Sequence, residues 1–492
     1  MSQDEDIKDL AKFGYRQELD RTLGSFSSFA AGFSYISILT GMFQMFFLGF
    51  GIGGPAFIWS WPIVFIGQFL VALMFAELAA HYPLSGGVFQ WSKIVGNAKI
   101  GWLVGWIYIA CLVVTLSAVA LALQNSLPQI SPFFQFASSN AVNAIVLGCV
   151  LILFSTVLNS TGVGLLAKVN NLGVFTEIFG VVVLIVLLAC YALRSPSEII
   201  FDTQNRGTLG DGYFGTLLAA ASLTASYVMY GFDTAGSLAE ETENPRQKAP
   251  RAILQALSAA AAAGLLLLLF SMMAAPNLSD PLLGRIEGGL PLIIKSVLGE
   301  GLGSFFLLIV IFAIFVCALA VHTGAVRLIF AMARDGWLPF SPALSRVSKN
   351  SKIPVVPAIL VGILAIAILV ANVNFPKVVE LLTLVAILWA NLAYLLVVAC
   401  LLYRRLNGWP QKGGSEVKGL FSLGRFGLAL NFLAFFWSLF MVINVGWPRA
   451  EVYGPEWTHR LAPVGLTVIL LILGFGFRRL VFAKMPRETL RK

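Results

Sequence analysis

The sequence predicts an all-α membrane protein with about 12 transmembrane helices. Of its 492 residues, 58% are hydrophobic and only 12% are charged, which is about half the charged share of an average globular protein. The hydrophobic residues form long uncharged runs such as Ala252–Ala275 and Ser304–Val321, each close to the roughly 20 residues that cross a bilayer. The alternating segments of an outer-membrane barrel are absent from the sequence, so helices are the predicted spanning elements.

Twelve spans can be placed along the chain from the length and hydropathy of these runs. The loops between them are short, so the sequence predicts a single membrane domain. Residues 1–24 and 479–492 are predicted cytoplasmic tails, and residues 403–424 are a predicted cytoplasmic loop. The predicted spans are 25–48, 56–78, 101–124, 141–159, 172–193, 213–239, 252–275, 303–330, 355–371, 378–402, 425–445 and 461–478.

The basic residues set the predicted orientation, because cytoplasmic loops carry an excess of Lys and Arg. An even number of spans places both termini on one side of the membrane. If that side is the cytoplasm, only seven of the 33 Lys and Arg residues lie outside. The sequence therefore predicts a multi-pass protein of the plasma membrane (the inner membrane in a bacterium) with cytoplasmic termini. The seven outside residues are Arg194, Arg206, Arg285, Lys295, Lys377, Arg449 and Arg460.

Two predicted spans have glycine and polar residues where a simple spanning helix would be apolar. Residues 34–44 of the first span include Thr40 and Gly41, and residues 226–236 of the sixth include Gly231 and Asp233. Interrupted helices at matching places in two halves of a chain are typical of inverted-repeat transporters and their central site. The alternative is that these small residues only let neighbouring helices pack closely. The matching positions favour interrupted first and sixth helices.

Three motifs resemble those of one transporter superfamily. Residues 76–87 read AELAAHYPLSGG, residues 231–253 contain GFD, LAEETENP and APRAI, and Arg327 precedes ARDGWLP at 333–339. At this spacing they are similar to the second, sixth and eighth spans of the amino acid–polyamine–organocation (APC) superfamily of permeases. The chain most resembles its amino acid/choline branch, which is GABA-permease-like. The resemblance covers roughly residues 25–400.

The resemblance implies a LeuT-like fold with a five-plus-five inverted repeat in residues 25–402. The repeats would be 25–193 and 213–402, followed by two extra transmembrane helices in 425–478. The substrate would bind between the first, third, sixth, eighth and tenth spans. Relatives interrupt the first helix at Gly-Ser-Gly, and the matching residues here are Leu39, Thr40 and Gly41. Because leucine replaces the first glycine, a substrate carboxylate would be shifted, or the substrate would be a bare amine.

Candidate substrate-binding residues follow from the two predicted interruptions. Amides at the start of a half-helix carry partial positive charge and can hold a carboxylate. Aromatic faces attract ammonium groups, although most aromatic residues of spanning helices only pack or contact lipid. Asp233 would either attract an ammonium group or cap the second half-helix. The candidates are Tyr35, Ile38, Leu39, Thr40, Gly41, Tyr230, Gly231, Phe232 and Asp233.

Ionisable residues inside the membrane need a compensating role, because each costs at least about 2.5–3.5 kcal/mol. Glu177 of the fifth span is a candidate proton carrier; the alternative is a hydrogen-bond partner of the interrupted first helix. The resemblance places Glu177 where many relatives carry a lysine associated with coupling. His322 of the eighth span is a second proton-coupling candidate, and the alternative is a packing residue.

Four charged residues near the predicted cytoplasmic ends of spans are candidate gate residues. Glu77 and Arg327 could form an ion pair, and the alternative is that they only cap helices or extend toward water. Glu240 and Glu241 follow the sixth span beside several basic residues. Such a charged loop is usually a solvated face, but the resemblance makes it a candidate inner gate.

The predicted function is secondary active transport of a small amino acid or amine by alternating access, with proton-coupled symport favoured. The alternatives are a substrate exchanger of the same fold, or a carrier for choline, ethanolamine, GABA or polyamines, and sodium could replace the proton. A non-transporting receptor or a channel belongs to a different class, and the repeated filter of a channel is absent from the sequence.

The predicted partners are the substrate, the coupling ion and membrane lipid. The net charge of +9 follows from membrane orientation, so nucleic acid is not a predicted partner. The sequence has no nucleophile–base or metal-ligand spacing and no Walker motif, so it predicts no enzyme, catalytic residue, metal or cofactor.

Overall fold

The computed structural model describes residues 3–204, 212–221, 223–349, 351–371, 378–410 and 420–482. Parts of four predicted segments lie outside these residues: 1–2 of the first tail, 222 of the sixth span, 411–419 of the loop 403–424, and 483–492 of the last tail. Arg206 and Lys377, which were used for the orientation, also lie outside them. The regular elements of the described residues are helices. The described residues also contain one isolated parallel β-bridge, between Leu23 and Thr242.

The first half of the described chain contains ten α-helices. They are α1 (Gln3–Ala11), α2 (Ser25–Ile36), α3 (Ile38–Gly53), α4 (Ser60–His81), α5 (Gly87–Val95), α6 (Ala98–Leu121), α7 (Leu127–Ile130), α8 (Asn140–Asn159), α9 (Val163–Cys190) and α10 (Pro196–Ile200).

The second half of the described chain contains eleven α-helices. They are α11 (Tyr213–Ala221), α12 (Thr224–Val228), α13 (Thr234–Ser237), α14 (Pro245–Ala274), α15 (Gly289–Arg334), α16 (Ser341–Leu344), α17 (Val355–Ala371), α18 (Val378–Leu406), α19 (Gly427–Gly446), α20 (Ala450–Tyr453) and α21 (Trp457–Phe482).

Ten helical segments of the described residues are long and apolar enough to cross a membrane. Two shorter apolar helical segments, Tyr213–Val228 and Val355–Ala371, lie at the positions of the predicted sixth and ninth spans. Isolated helices can cross lipid because each satisfies its own backbone hydrogen bonds. The predicted class, an all-α multi-pass membrane protein, is therefore confirmed.

The first span is interrupted between α2 and α3. Ser37 has backbone angles φ 30° and ψ 96°, which no α-helix contains. Its N–H closes the last turn of α2 on the carbonyl of Phe33, and its hydroxyl accepts from the N–H of Thr40 in the first turn of α3. Ser37 thus ends one half-helix and caps the next.

The sixth span is interrupted between α12 and α13, as predicted. α12 ends at Val228, α13 begins at Thr234, and Gly231 between them has φ +89°. This left-handed conformation costs a residue with a side chain about 1–2 kcal/mol, so glycine suits the position.

Both interrupted spans lie at the centre of the helix bundle. α2 packs against α9, α14 and α15, while α3 packs against α11, α12 and α15. In the most apolar 18-residue stretch of the first span, 83% of residues are buried inside the protein, against 28% for the α19 span and 17% for the α21 span. The central position explains why polar groups are tolerated in the first span, whereas α19 and α21 leave most of their residues exposed on the outside of the bundle.

The N-terminal segment folds against one end of this bundle. Arg246 of α14 donates to both carboxylate oxygens of Asp9, and Asp6 accepts from the N–H of Asn244 at 3.0 Å. Leu23 exchanges backbone hydrogen bonds with the chain at Glu241 and Glu243, at 2.8 and 3.0 Å. The segment therefore ties the start of the chain to the residues that follow α13.

The Asp9 contact predicts a pH-dependent stability. Burial opposes ionisation of Asp9, but hydrogen bonds and charge from Arg246 and Lys12 outweigh it and lower the pKa of Asp9 below its ordinary value of 3.8. A carboxylate with a lowered pKa stabilises the fold above its unfolded-state pKa and loses this contribution as pH falls through its folded-state pKa.

We expect Asp9→Asn to cost about 1–3 kcal/mol near neutral pH, because two charged hydrogen bonds are weakened. The thermal midpoint of the purified protein in detergent should differ between wild type and variant above about pH 5, and this difference should shrink below about pH 4. Asp20→Asn, at an exposed carboxylate of the same segment, is the matched control. A difference that persists unchanged into acid would contradict the ion-pair explanation.

Candidate functional site

The two interruptions meet at the side chain of Tyr35. A Cβ atom added to Gly231 would lie 1.8 Å from Cδ1 of Tyr35, so the tyrosine ring rests directly on the glycine backbone. The rings of Tyr35 and Tyr230 pack edge to face, with centroids 5.8 Å apart. The structure thus brings together three predicted site residues that lie nearly 200 positions apart in the sequence.

A small cavity lined by buried residues adjoins this contact. Only about 10 Å³ is accessible to the centre of a water molecule, which is the space of roughly one water. The hydroxyl of Tyr35 is buried and has no hydrogen-bond partner among the described residues. A substrate can enter only if side chains such as Tyr35 move. The cavity is lined by Tyr35, Ile36, Thr40, Gly41, Thr115, Val119, Tyr227, Tyr230 and Cys317.

Asp233 lies at the sixth-span interruption within a cluster of tyrosines. Its Oδ1 atom accepts hydrogen bonds from the hydroxyls of Tyr108 and Tyr394 at 2.6 and 2.5 Å. The Tyr394 hydroxyl also accepts from the N–H of Gly231 at 2.9 Å. The side chain of Asp233 makes no capping bond to α13, so the capping alternative is wrong: the tyrosines of α6 and α18 hold the carboxylate instead.

Glu177 of α9 contacts the other interruption. Its Oε1 atom accepts from the hydroxyl of Ser37 at 2.9 Å and from the N–H of Leu39 at 3.1 Å. The residue is 1% exposed, and its Oε2 atom has no partner within the described part of the chain. The predicted alternative for Glu177, a hydrogen-bond partner of the interrupted first helix, therefore describes its contacts.

The position predicted for the first interruption needs correction. Residues 38–41 form the first turn of α3, and the chain leaves helical geometry at Ser37. Ser37 and Glu177 together satisfy the amides that open α3, so the interruption needs no glycine at Leu39. Ile38 and Leu39 do not line the cavity, whereas Thr40 and Gly41 do.

Phe232 and His322 lie away from the cavity wall. Phe232 is buried against the rings of Phe75 and Tyr394. The two ring nitrogens of His322 are hydrogen-bonded to Ser155 Oγ at 3.1 Å and to the carbonyl of Ala358 at 2.9 Å. These contacts tie α15 to α8 and α17, so the structure does not bring His322 to either interruption.

Charged side chains cluster at the end of the bundle that holds the N-terminal segment, and we call this end the basic face. Arg327 donates to both oxygens of Glu241 at 2.5 and 3.1 Å, with both side chains buried. Arg334, two turns later on α15, donates to both oxygens of Glu240 at 2.8 Å. Two bidentate ion pairs therefore join α15 to the chain that follows α13.

The predicted ion pair between Glu77 and Arg327 is wrong. Glu77 of α4 instead accepts from Arg405 of α18 and from the N–H of Leu423 at 3.0 Å. Arg327 has its partner in Glu241, which the sixth-span interruption brings beside α15. Glu77 and Arg327 thus belong to two separate pairs.

A second cavity lies between the sixth-span interruption and the basic face. About 30 Å³ is accessible to the centre of a water molecule. Its lining includes Thr234, next to Asp233, and Glu241, which pairs with Arg327. One member of the buried ion pair therefore forms part of the wall of this cavity.

Several residues of the site were missed by sequence reasoning. Tyr108 and Tyr394 hold Asp233, and Thr115 bonds the hydroxyl of Tyr230 at 2.9 Å. These residues lie on the predicted third and tenth spans, which the family resemblance had placed around the site. A search for polar residues on those two spans could have found them, whereas no local pattern points to Arg405.

A small cavity where two interrupted spanning helices meet is typical of inverted-repeat transporters, which places this chain in the class of multi-pass membrane transport proteins. A sequence model of the family described as amino acid permease matches residues 23–472. Because this match covers nearly the whole chain, the chain belongs to the amino acid permease family. The predicted resemblance to APC permeases is confirmed.

Individual relatives agree with this family. The chain is 25% identical to the amino-acid permease BAT1 of Arabidopsis thaliana, over 94% of this chain and 92% of that protein. It is 24% identical to amino-acid permease 2 of Neurospora crassa, over 96% and 87% of the two chains. It is 25% identical to the thiamine transporter thi9 of Schizosaccharomyces pombe, over 96% and 85%. These proteins are named as permeases or transporters and not as enzymes.

The contact between Gly231 and Tyr35 predicts a steric penalty. We expect Gly231→Ala to destabilise the protein by about 2–5 kcal/mol, from the left-handed backbone and the crowded ring together. The apparent thermal midpoint in detergent should fall, and it should fall less when Tyr35 is also replaced by alanine. Gly164→Ala is the matched control, because a Cβ there meets no atom within 4 Å. An equal cost in both Tyr35 backgrounds would contradict the steric contact.

The ion pair on the basic face predicts a second loss of stability. Glu241→Gln leaves the buried charge of Arg327 without a counter-charge, which should cost about 3–5 kcal/mol. Replacement of both residues by methionine should cost less than Glu241→Gln alone, as a double-mutant cycle can measure.

The control for this cycle is Glu243→Gln. Glu243 pairs with Lys248 at 3.0 Å, and its side chain is 48% exposed, so its loss should cost no more than about 1 kcal/mol. Similar thermal midpoints for the Glu241 and Glu243 variants would show that the buried pair does not stabilise the packing of α15 against the chain that follows α13.

Proposed function

We propose that the protein is a secondary active transporter that carries a small amino acid or amine by alternating access, coupled to protons in symport. The observation that carries the proposal is the meeting of two interrupted spanning helices at a small cavity, in a chain of the amino acid permease family. Each interruption also holds a buried carboxyl group, Glu177 at the first and Asp233 at the sixth span. Interrupted helices supply backbone groups and side chains for a substrate at mid-membrane.

The transport core consists of two inverted five-span repeats, 25–193 and 213–402, in this proposal. The interrupted α2–α3 and α12–α13 occupy corresponding places, and the two helices after residue 425 lie outside the repeats. α19 and α21 are largely exposed and contact lipid, which supports their separate role. Movement of one repeat against the other would open the central cavity to alternate sides.

The basic face is the inner gate and lies in the cytoplasm together with both termini. Its excess of Lys and Arg supports this orientation in the plasma membrane. Release of substrate toward it requires separation of Glu241 from Arg327 and of Glu240 from Arg334. Glu77 with Arg405 would anchor the neighbouring helices α4 and α18. The named relatives are eukaryotic, so the bacterial inner membrane stays a prediction.

Glu177 is the proposed proton site. Its ionised carboxylate accepts bonds that hold Ser37 and the start of α3 in place. Protonation would remove the charge that strengthens these bonds and so loosen the first interruption. His322 is the weaker candidate, because its partners Ser155 and Ala358 lie on helices remote from both interruptions.

The test is uptake by proteoliposomes. Radiolabelled amino acids and amines would be screened with and without an inward proton gradient, and separately with a sodium gradient. We expect the gradient of protons to raise accumulation of a substrate about tenfold or more at one pH unit. Glu177→Gln should abolish this dependence, and Glu243→Gln, at a half-exposed carboxylate of the basic face, should retain it.

Other outcomes would separate the alternatives. Uptake that is independent of both gradients but requires substrate inside the liposomes would identify the protein as an exchanger. Glu177 would then have a structural role. Uptake that depends on the sodium gradient alone would identify sodium, and not the proton, as the coupling ion. A panel without any transported compound would contradict the proposed function.

A further inference from the structure

We infer that the substrate is a small organic amine bound through its ammonium group, without an α-carboxylate, because the chain supplies its own carboxylate to the first interruption. This inference rests on the proposed function and names the substrate class of the same site. It depends on which backbone amides are free, where space is blocked and which polar atoms lack partners.

The amides that open α3 are already occupied. The N–H of Leu39 donates to Glu177 at 3.1 Å, that of Thr40 to Ser37 Oγ at 3.3 Å, and that of Gly41 to the Ser37 carbonyl at 3.0 Å. A helix N-terminus binds an anion through such amides and its positive dipole end. Here the carboxylate of Glu177, on α9, takes this role, so a substrate carboxylate finds none of these three amides free.

The side of this turn that faces α12 is also blocked. A Cβ atom at Gly41 would lie 2.5 Å from Cγ2 of Val228, so the open side of the glycine is filled by the end of α12. Leu39 adds a further side chain on the same turn. A carboxylate would have to displace packed apolar atoms to reach the backbone.

The remaining unpartnered groups suit a cation. Among the described residues, Oδ2 of Asp233 and the hydroxyl of Tyr35 are buried without a hydrogen-bond partner, at 1% and 4% exposure of their residues. Tyr35 also contacts Tyr230 and Gly231, which places both groups around the sixth-span interruption. Carboxylate oxygens, hydroxyl oxygens and tyrosine faces all attract an ammonium group.

Charge supports the same choice. The described lining of the cavity contains no Lys or Arg that could pair with a substrate carboxylate. Glu177 and Asp233 place carboxyl groups at the two interruptions, so a substrate carboxylate would meet further acceptor oxygens there and no basic side chain of the cavity lining. The ring of Tyr35 lies against the backbone of Gly231, so an amine that displaced this ring would reach the sixth-span interruption.

The test compares compounds that differ only by the α-carboxylate. The pairs are ethanolamine with serine, putrescine with ornithine, and histamine with histidine. Binding to the purified protein would be measured by thermal stabilisation, which rises with ligand concentration relative to Kd, and uptake would be measured in proteoliposomes. For at least one pair, we expect the amine to act at a concentration at least about tenfold lower than that of its amino acid.

Two variants test the named residues. Asp233→Asn should remove stabilisation by the amine, while Glu243→Gln should not. Glu177→Ala should free the amide of Leu39. The preference for the amine over its amino acid should then fall by about threefold or more. Size-exclusion chromatography of each variant confirms that it is folded before the ratio is measured.

The outcomes separate this inference from the proposed function. An amino acid that binds as well as its amine, or an amine preference that survives Asp233→Asn, overturns the inference and leaves transport intact. Amines that stabilise the protein but are never transported support the inference and overturn the proposed function. If no compound of any pair stabilises the protein or is taken up, the inference is wrong.

Discussion

The satisfaction of backbone hydrogen bonds away from water is the constraint on which this structure depends. An uninterrupted helix satisfies its backbone groups with its own hydrogen bonds, whereas an interrupted helix exposes amides that must bond to other side chains. Glu177 and Ser37 do so at the first span, through the N–H groups of Leu39 and Thr40. Tyr394 does so at the sixth, through the N–H of Gly231. Each interruption is thereby tied to a helix outside it, α9 or α18, and a movement at one site must involve its partner helix.

The sixth-span interruption also explains how the ion pairs of the basic face form. Because the sixth span stops being regular at Val228, the chain after α13 can lie beside α15, where Glu240 and Glu241 meet Arg334 and Arg327. The N-terminal segment lies against this chain through the backbone pairing of Leu23. The central cavity and the ion pairs are thus parts of one connected unit, and the second cavity lies between them. Buried ion pairs suit a gate, because separating them is costly unless water enters.

The sequence was sufficient for the features that depend on composition and local pattern. Hydropathy predicted the spanning helices, and Gly231 beside Asp233 marked the sixth-span interruption. The first interruption was misplaced because Ser37 is held by Glu177, 140 positions away, and no local pattern reports such a contact. The partner of Glu77 was wrong for the same reason, since Arg405 lies 328 positions away. Asp233 was found, but its tyrosine partners were not, because a tyrosine in a spanning helix resembles any packing residue.

Hydrogen exchange measured by mass spectrometry tests most directly whether side chains hold the two interruptions. The purified protein would be compared with Glu177→Ala and Tyr394→Phe, and exchange followed in peptides that cover residues 33–43 and 227–236. The account predicts that Glu177→Ala speeds exchange in the first peptide and that Tyr394→Phe speeds it in the second, while peptides from α21 stay unchanged in both. Unchanged exchange in both peptides would contradict it, because the amides would then be protected without the side chains assigned to them.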